Sequence, residues 1–427
     1  LVARSAAACR GLLLRLCLSG HCGKGPGMAA VAVVVLLLLA AIPAPSLALA
    51  PVLVVGGTGR VGGSAVRKLA EAGLRVDVGS RSTASFDDLA RRLGPELQAC
   101  VRHVPMDTGA PIAEVAAALR GYEVVVNTAG PFQYGTPTVL EACISNGNVA
   151  YVDVCDSIEV SREARKLAAS ARAANVSAVI AAGIWPGASS LLSSLLVERA
   201  GGPGNVANVE FSFHTGGTGG SGPTILSATF LILAEDALAF EGGSPAYYPS
   251  GSDAKLVDFG PALGRREVFR MNLIETESTG PNALGVSTVL ARFGTAPIAW
   301  NRLLQATTLL PKPILRNRSL MQAFSIFSLP AVRFVDKFFG TQNGIRVDVT
   351  AKDGRCLSAL AAHADMEDAV GVALSSFVTH APSVAPGVWF PEEVPSRAYR
   401  QAVLEDVAAT AITWRADGGD DAALRDA

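Results

Sequence analysis

The stretch Val52-Leu-Val-Val-Gly-Gly-Thr-Gly-Arg-Val-Gly-Gly63 constrains the fold more than any other in the chain. A short apolar run ends in a cluster of glycines, and an alanine- and leucine-rich segment follows. The run reads as a buried parallel strand. Val61, Ala65, Leu69 and Ala72 then share one helical face, with Gly73 as the stop. Between strand and helix, Gly57-Thr58-Gly59-Arg60-Val61-Gly62 matches G-x-G-x-x-G. In this setting the glycines allow a tight turn and a close backbone approach, and the helix start offers free N–H groups to a pyrophosphate. Gly56, Gly57, Thr58, Gly59, Arg60, Val61 and Gly62 are therefore expected to cradle a dinucleotide.

The second strand, Leu74 to Val78, leads into Gly79-Ser80-Arg81-Ser82. An NAD site usually presents Asp or Glu here to the ribose hydroxyls. Ser80, Arg81 and Ser82 suit a 2′-phosphate instead, so NADP is the expected cofactor. Asp77 lies two residues before Gly79, and its side chain is expected to face the other side of the strand from the cofactor. A shift in register would bring it into play.

Strands and helices keep alternating. Val124 to Val126 is a strand with a turn at Asn127 to Pro131, and Asn127, Ala129, Gly130 and Pro131 join the expected cofactor-binding set. "TPTVLEACISNG" is a helix, "VAYVDVCD" a strand, and Ser157 caps the next long helix. "AVIAAGIWPGASSLLSSLLVE" is a strand, a Pro-Gly turn and another helix. The alternation implies an α/β fold, a Rossmann-type doubly wound parallel sheet with ligands outside the carboxyl ends of its strands. Beyond it, strands with few helices between them imply a second α+β domain built on a mostly antiparallel sheet. The boundaries read as 51–187 for the nucleotide-binding domain, 188–385 for the second domain and 386–427 for a C-terminal segment with a disordered acidic tail.

Composition bounds the rest. A chain of 427 residues is comfortable for two domains, and a net charge of -1 gives no electrostatic reason to expect nucleic acid as a partner. The cysteines are scattered, with no C-x-x-C pair, so no metal site is expected. Residues 1–50 hold Arg4, Arg10 and Arg15 without an acid, then an apolar segment closed by Pro43 and Pro45 and a small-residue cleavage pattern. That reads as a targeting leader. Plastid import is the favoured address, a secretory signal or a retained membrane anchor the alternatives, and Met28 is a second candidate start.

"VLVVGGTGRVGGSAV", "VVVNTAGPFQYGTPTVLEACISNGNVAYVDVCD" and "AGIWPGASSLLSSLL" together resemble the saccharopine dehydrogenase-like family. "TGGTGGSGPTILSATFLIL", "VLARFGTAPIAWN" and "PGVWFPEE" resemble its plastid-type members in plants and algae. The resemblance implies an NAD(P)-dependent oxidoreductase fold with a second domain after the nucleotide domain. It also implies a homodimer, and it says little about substrate.

The candidates for proton transfer are Tyr134, after the Gly-Pro-Phe turn, Asp153 and Asp156 at a strand end, and His214, before the glycine-rich loop Thr215 to Gly222. The block 297–340 carries Arg302, Lys312, Arg316, Arg318, Arg333 and Lys337 against the single acid Asp336, amid Leu, Ile and Phe. Such a stretch either contacts a membrane surface, covers a hydrophobic substrate pocket or packs on the second sheet. The expected function is an NADP(H)-dependent oxidoreductase acting on a small or lipid-like substrate. The alternatives are a non-catalytic NADP(H)-binding protein and a saccharopine reductase, the latter needing several Arg or Lys to hold the substrate's carboxylates.

Overall fold

A computed structural model describes residues 51–217 and 222–416. The leader, the middle of the glycine-rich loop at 218–221 and the tail from 417 lie outside the described residues.

The first apolar run forms β1 (Val52–Val55), with all four residues buried. Helix α1 (Arg60–Glu71) follows and buries Ala65, Val66 and Leu69 on one side. It stops at Gly73, whose φ of 82° suits only a residue without a Cβ. Then come β2 (Val76–Ser80), helix α2 (Thr83–Leu93), β3 (Val101–Pro105), β4 (Val124–Asn127), β5 (Ala150–Asp153) and β6 (Ser177–Val179). Their spatial order is β6-β5-β4-β1-β2-β3, and every pairing is parallel. This is the doubly wound sheet expected from the alternation. The strand order reverses between β1 and β4, so a crevice opens at their carboxyl ends.

The second sheet is built from β7 (Val206–Gly216), β8 (Ala237–Glu241), β9 (Ser244–Tyr248), β10 (Lys255–Asp258), β11 (Arg265–Arg270), β12 (Val289–Ala296), β13 (Asn343–Ala351), β14 (Cys356–His363) and a short late strand, Thr413–Arg415. β7 lies at its centre, parallel to β12 and antiparallel to β13, and the remaining pairings are antiparallel. Val209, Phe211 and Phe213 alternate inward along β7, and the Trp185 ring stacks on Phe213 with 5.2 Å between centroids. That stack ties the turn after β6 to the second sheet.

The segment after residue 385 serves both sheets. Gly387–Trp389 is β15, parallel to β6, a seventh strand on the first sheet. Thr413–Arg415, β16, closes the second sheet beside β14. Helices α3 (Ala188–Arg199), α4 (Pro223–Leu233), α5 (Arg318–Phe339) and α6 (Met366–His380) complete the parts that frame the site. α6 crosses α1 closely: a Cβ on Gly371 would stand 2.2 Å from Ser64 Oγ. Ion pairs Arg60–Glu367 and Lys68–Asp368 flank the crossing.

Candidate functional site

The crevice at the β1/β4 reversal is one cavity of about 840 Å³. Its floor is the glycine turn. Gly56 has φ 76°, and a Cβ there would stand 2.8 Å from the backbone of Ala129. A Cβ on Gly62 would stand 2.5 Å from both Gly56 O and Thr128 Oγ1. These approaches bring the start of α1 against the turn. α1 has no side-chain cap and no acid in its first turn, so its leading N–H groups are left for a ligand. The residues present therefore fit a dinucleotide pyrophosphate.

Gly56, Thr58, Gly59, Arg60, Val61, Gly62, Ser80, Arg81, Asn127, Ala129, Gly130 and Pro131, all named from the sequence, line this cavity. Gly57 and Ser82 do not. Gly57 packs inward, where a Cβ would stand 3.0 Å from Val54 O and from the Val78 side chain. Ser82 is the N-cap of α2, its hydroxyl accepting from Ser85 N at 3.2 Å. Ser80 presents a hydroxyl already bonded to His103 Nε2 at 3.0 Å.

β2 pairs Asp77 with Leu53 on one side and Arg102 on the other. Its carboxylate is buried and faces away from the cavity. Arg102 Nε donates to Oδ1 at 3.1 Å and Nη2 to Oδ2 at 2.5 Å, while Tyr122 Oη donates to Oδ2 at 2.5 Å. With Asp77 engaged, Arg81 is the charged side chain that lines the cavity at the end of β2.

The proton-transfer candidates divide differently from expectation. His214 does not line the cavity. It sits mid-sheet on β7 between Gly294 of β12 and Gly344 of β13, beside the Phe259 ring, and burial pushes its pKa down to about 3. A neutral ring buried in a sheet is poorly placed to exchange protons with a substrate. Asp153 does not line it either. Its carboxylate accepts from Cys155 N at 3.0 Å, Ala181 N at 2.8 Å and Tyr151 Oη at 2.9 Å, tying β5 to the chain after β6. Tyr151 does share its side of the strand, as the period of two requires, and Asn127 Nδ2 donates to its hydroxyl at 3.2 Å. Tyr134 is held at φ 57° with its hydroxyl buried near Glu235 and Arg316, and burial first, then the Glu235 charge, push it up to about 12.

Of the proton-transfer candidates, Asp156 is the one that lines the cavity; the other acid in its lining is Asp107, after β3. Gln133 Nε2 donates to Asp156 Oδ1 at 2.9 Å, and burial raises the Asp156 pKa to about 6. The cavity lining also includes the turn Gly183–Pro186, Gly222–Ile225 and, from the first two turns of α5, Arg318 and Gln322. Arg318 Nη2 donates to Pro131 O at 2.9 Å. No local motif marks these α4 and α5 residues. The sequence signals here are the glycine-rich loop Thr215 to Gly222, which is able to wrap a substrate or the nicotinamide, and the basic character of 297–340, one reading of which is a pocket cover.

Residues 52–179, β1 through β6, match the family model described as the saccharopine dehydrogenase NADP binding domain. This makes the first sheet a nicotinamide-dinucleotide-binding domain. Apo saccharopine dehydrogenase (L-Glu forming) from Saccharomyces cerevisiae superposes with a TM-score of 0.56 at 13% identity, covering 86% of this chain and 99% of that one. The amine dehydrogenase of Mycobacterium smegmatis gives a TM-score of 0.45 at 11% identity over 81% of this chain and 96% of that one. At 13% identity the likeness to the yeast enzyme is one of fold. A search of curated protein sequences finds no match.

Proposed function

We propose that this chain is an NADP(H)-dependent oxidoreductase whose substrate meets the cofactor between the Gly183–Pro186 turn and the start of α5. The observation that carries the reading is the single cavity running from the glycine turn and Arg81 to Asp156 and Arg318. A nucleotide-only site would need the first part and not the second. Gly56 to Gly62 and the start of α1 would hold the pyrophosphate, and Arg81 the 2′-phosphate. The bound cofactor supplies the hydride. Asp156, fixed by Gln133, stands ready to hold or release a proton at that end.

Of the basic residues lining the cavity, Arg60 and Arg81 belong to the nucleotide end, which leaves Arg318 near the substrate end. One guanidinium does not match the several carboxylates of saccharopine. The reading therefore favours a substrate with at most one anionic group.

Titration of the full chain with NADPH and NADH, repeated on Arg81→Ala, tests the proposal. NADPH should bind more tightly, and the variant should lose about 10- to 100-fold for NADPH alone, the size of a lost charge-assisted contact. A preference for NADH, or no binding of either, would overturn it.

A further inference from the structure

Among the described residues, sixteen large hydrophobic side chains lie exposed, and twelve of them fall between Ile298 and Phe339. Most belong to α5. That helix buries only Met321, Ser325 and Val332. Its outward stripe is Leu320, Phe324, Phe327, Ala331, Phe334 and Phe338, at alternating steps of four and three. This is the spacing of a continuous apolar seam along one helical face. Phe327 is 82% exposed and Phe338 70%, and Leu309 just before α5 is 85% exposed. A monomeric surface rarely leaves so much aromatic area uncovered.

The charge around the seam says what covers it. Arg333 and Lys337 stand exposed on α5, about 100–140° around the helix from the centre of the seam, and form no ion pair among the described residues. Arg302 and Lys312 are already paired, with Glu267 and Asp236. The only acid in 297–340 is Asp336. A second copy docking seam to seam would bring cations against cations. A layer of anionic headgroups over acyl chains complements both features at once, basic side chains above and Phe and Leu below. None of the described helices is long and apolar enough to cross a membrane, so the contact is with a surface. We propose that the outward face of α5 docks the protein onto an anionic lipid bilayer. This does not depend on the cofactor reading. It does carry a consequence for it: Arg318 and Gln322, in the first turns of α5, wall the cavity, so docking holds the cavity beside the headgroups.

The test places tryptophan in the seam of the full chain, as Phe327→Trp, and mixes it with vesicles of brominated phosphatidylcholine containing phosphatidylglycerol. Ile412→Trp is the control, exposed beside β16, an edge strand of the second sheet. The reporter is local, so binding through any other segment does not mimic it. Added emission at position 327 should be quenched and that at 412 should not. Each basic residue near the surface contributes about five-fold to partitioning, so Arg333→Gln with Lys337→Gln should raise the lipid concentration for half-maximal quenching about 25-fold, and high salt should raise it too. Sedimentation without quenching at 327, or no sedimentation at all, would overturn the proposal. So would a dimer in lipid-free solution that Phe327→Glu with Phe334→Glu dissociates, since the seam would then belong to a second copy.

Discussion

Adjacent glycines in α1 offer a direct test of whether close packing, and not helix propensity, governs the nucleotide turn. At an ordinary helix position Gly→Ala stabilises by roughly 0.5–1 kcal/mol, because the unfolded chain loses freedom. Gly63 is such a position. A Cβ there meets first the Leu89 Cδ1 methyl at 3.2 Å, the far end of a side chain that can turn aside, and next Gly57 O at 3.6 Å. Gly62 is different. A Cβ would stand 2.5 Å from Gly56 O, 2.5 Å from Thr128 Oγ1 and 2.7 Å from Gly57 Cα, so the backbone of the glycine turn and the Thr128 side chain must move. Overpacking of that kind costs about 1–3 kcal/mol, which outweighs the propensity gain. It would also push the start of α1 away from the turn, and with it the N–H groups that a pyrophosphate needs. Gly63→Ala should therefore be neutral to slightly stabilising in urea denaturation and bind NADPH as the parent does. Gly62→Ala should lose about 1–2 kcal/mol and at least ten-fold in NADPH affinity. Equal stabilities, or a Gly62→Ala variant that binds normally, would refute the reasoning.

Two further outcomes follow from the titratable groups. Asp77→Asn breaks a buried carboxylate's bonds to Arg102 and Tyr122 and should cost about 1–3 kcal/mol in urea denaturation, while the NADPH-to-NADH preference stays put; a changed preference would mean that Asp77 reaches the ribose after all. For Asp156 the fold raises the pKa from 3.8 to about 6, so the fold opposes ionisation: its contribution is fully present below pH 3.8 and is lost as pH rises through 6. Asp156→Asn should then match the parent's stability at pH 4 and exceed it at pH 8 by about 1–3 kcal/mol, the upper end reduced because the carboxyl opens on the cavity; thermal melts at the two pH values decide it, and a variant less stable at pH 8 would show that the carboxylate is better solvated than its surroundings imply.

The parts of this site that could be read from the chain are those whose chemistry is local. A strand buried on both faces must be a continuous apolar run, the turn after it must contain glycine where φ is positive, and the helix after that must show a 3.6-residue period. Those three requirements put Val52–Val55, Gly56–Gly62 and α1 on the page before any coordinate does. The same logic put Tyr151 and Asp153 on one side of β5, and they are bonded to each other. It could not say that this side also holds the N–H groups of Cys155 and Ala181, which consume the carboxylate. Asp156, three residues on, lies past the strand, where periodicity gives no direction, and it is the one that reaches the cavity. His214 misleads for a related reason: a histidine before a glycine-rich loop looks poised, but β7 is the central strand of a sheet whose order is set by β12 and β13, which the chain reaches only about 75 and 130 residues later. The contacts that turn a nucleotide groove into an enclosed site are of this distant kind. Arg318 bonds Pro131 across 187 residues, and Glu367 pairs with Arg60 across 307. Each of those residues looks, in sequence, like a solvated charge on a helix. Only the return of the chain through α5, α6 and β15 gives them partners, so the substrate end of the cavity is a property of the fold, where the nucleotide end is a property of one short segment.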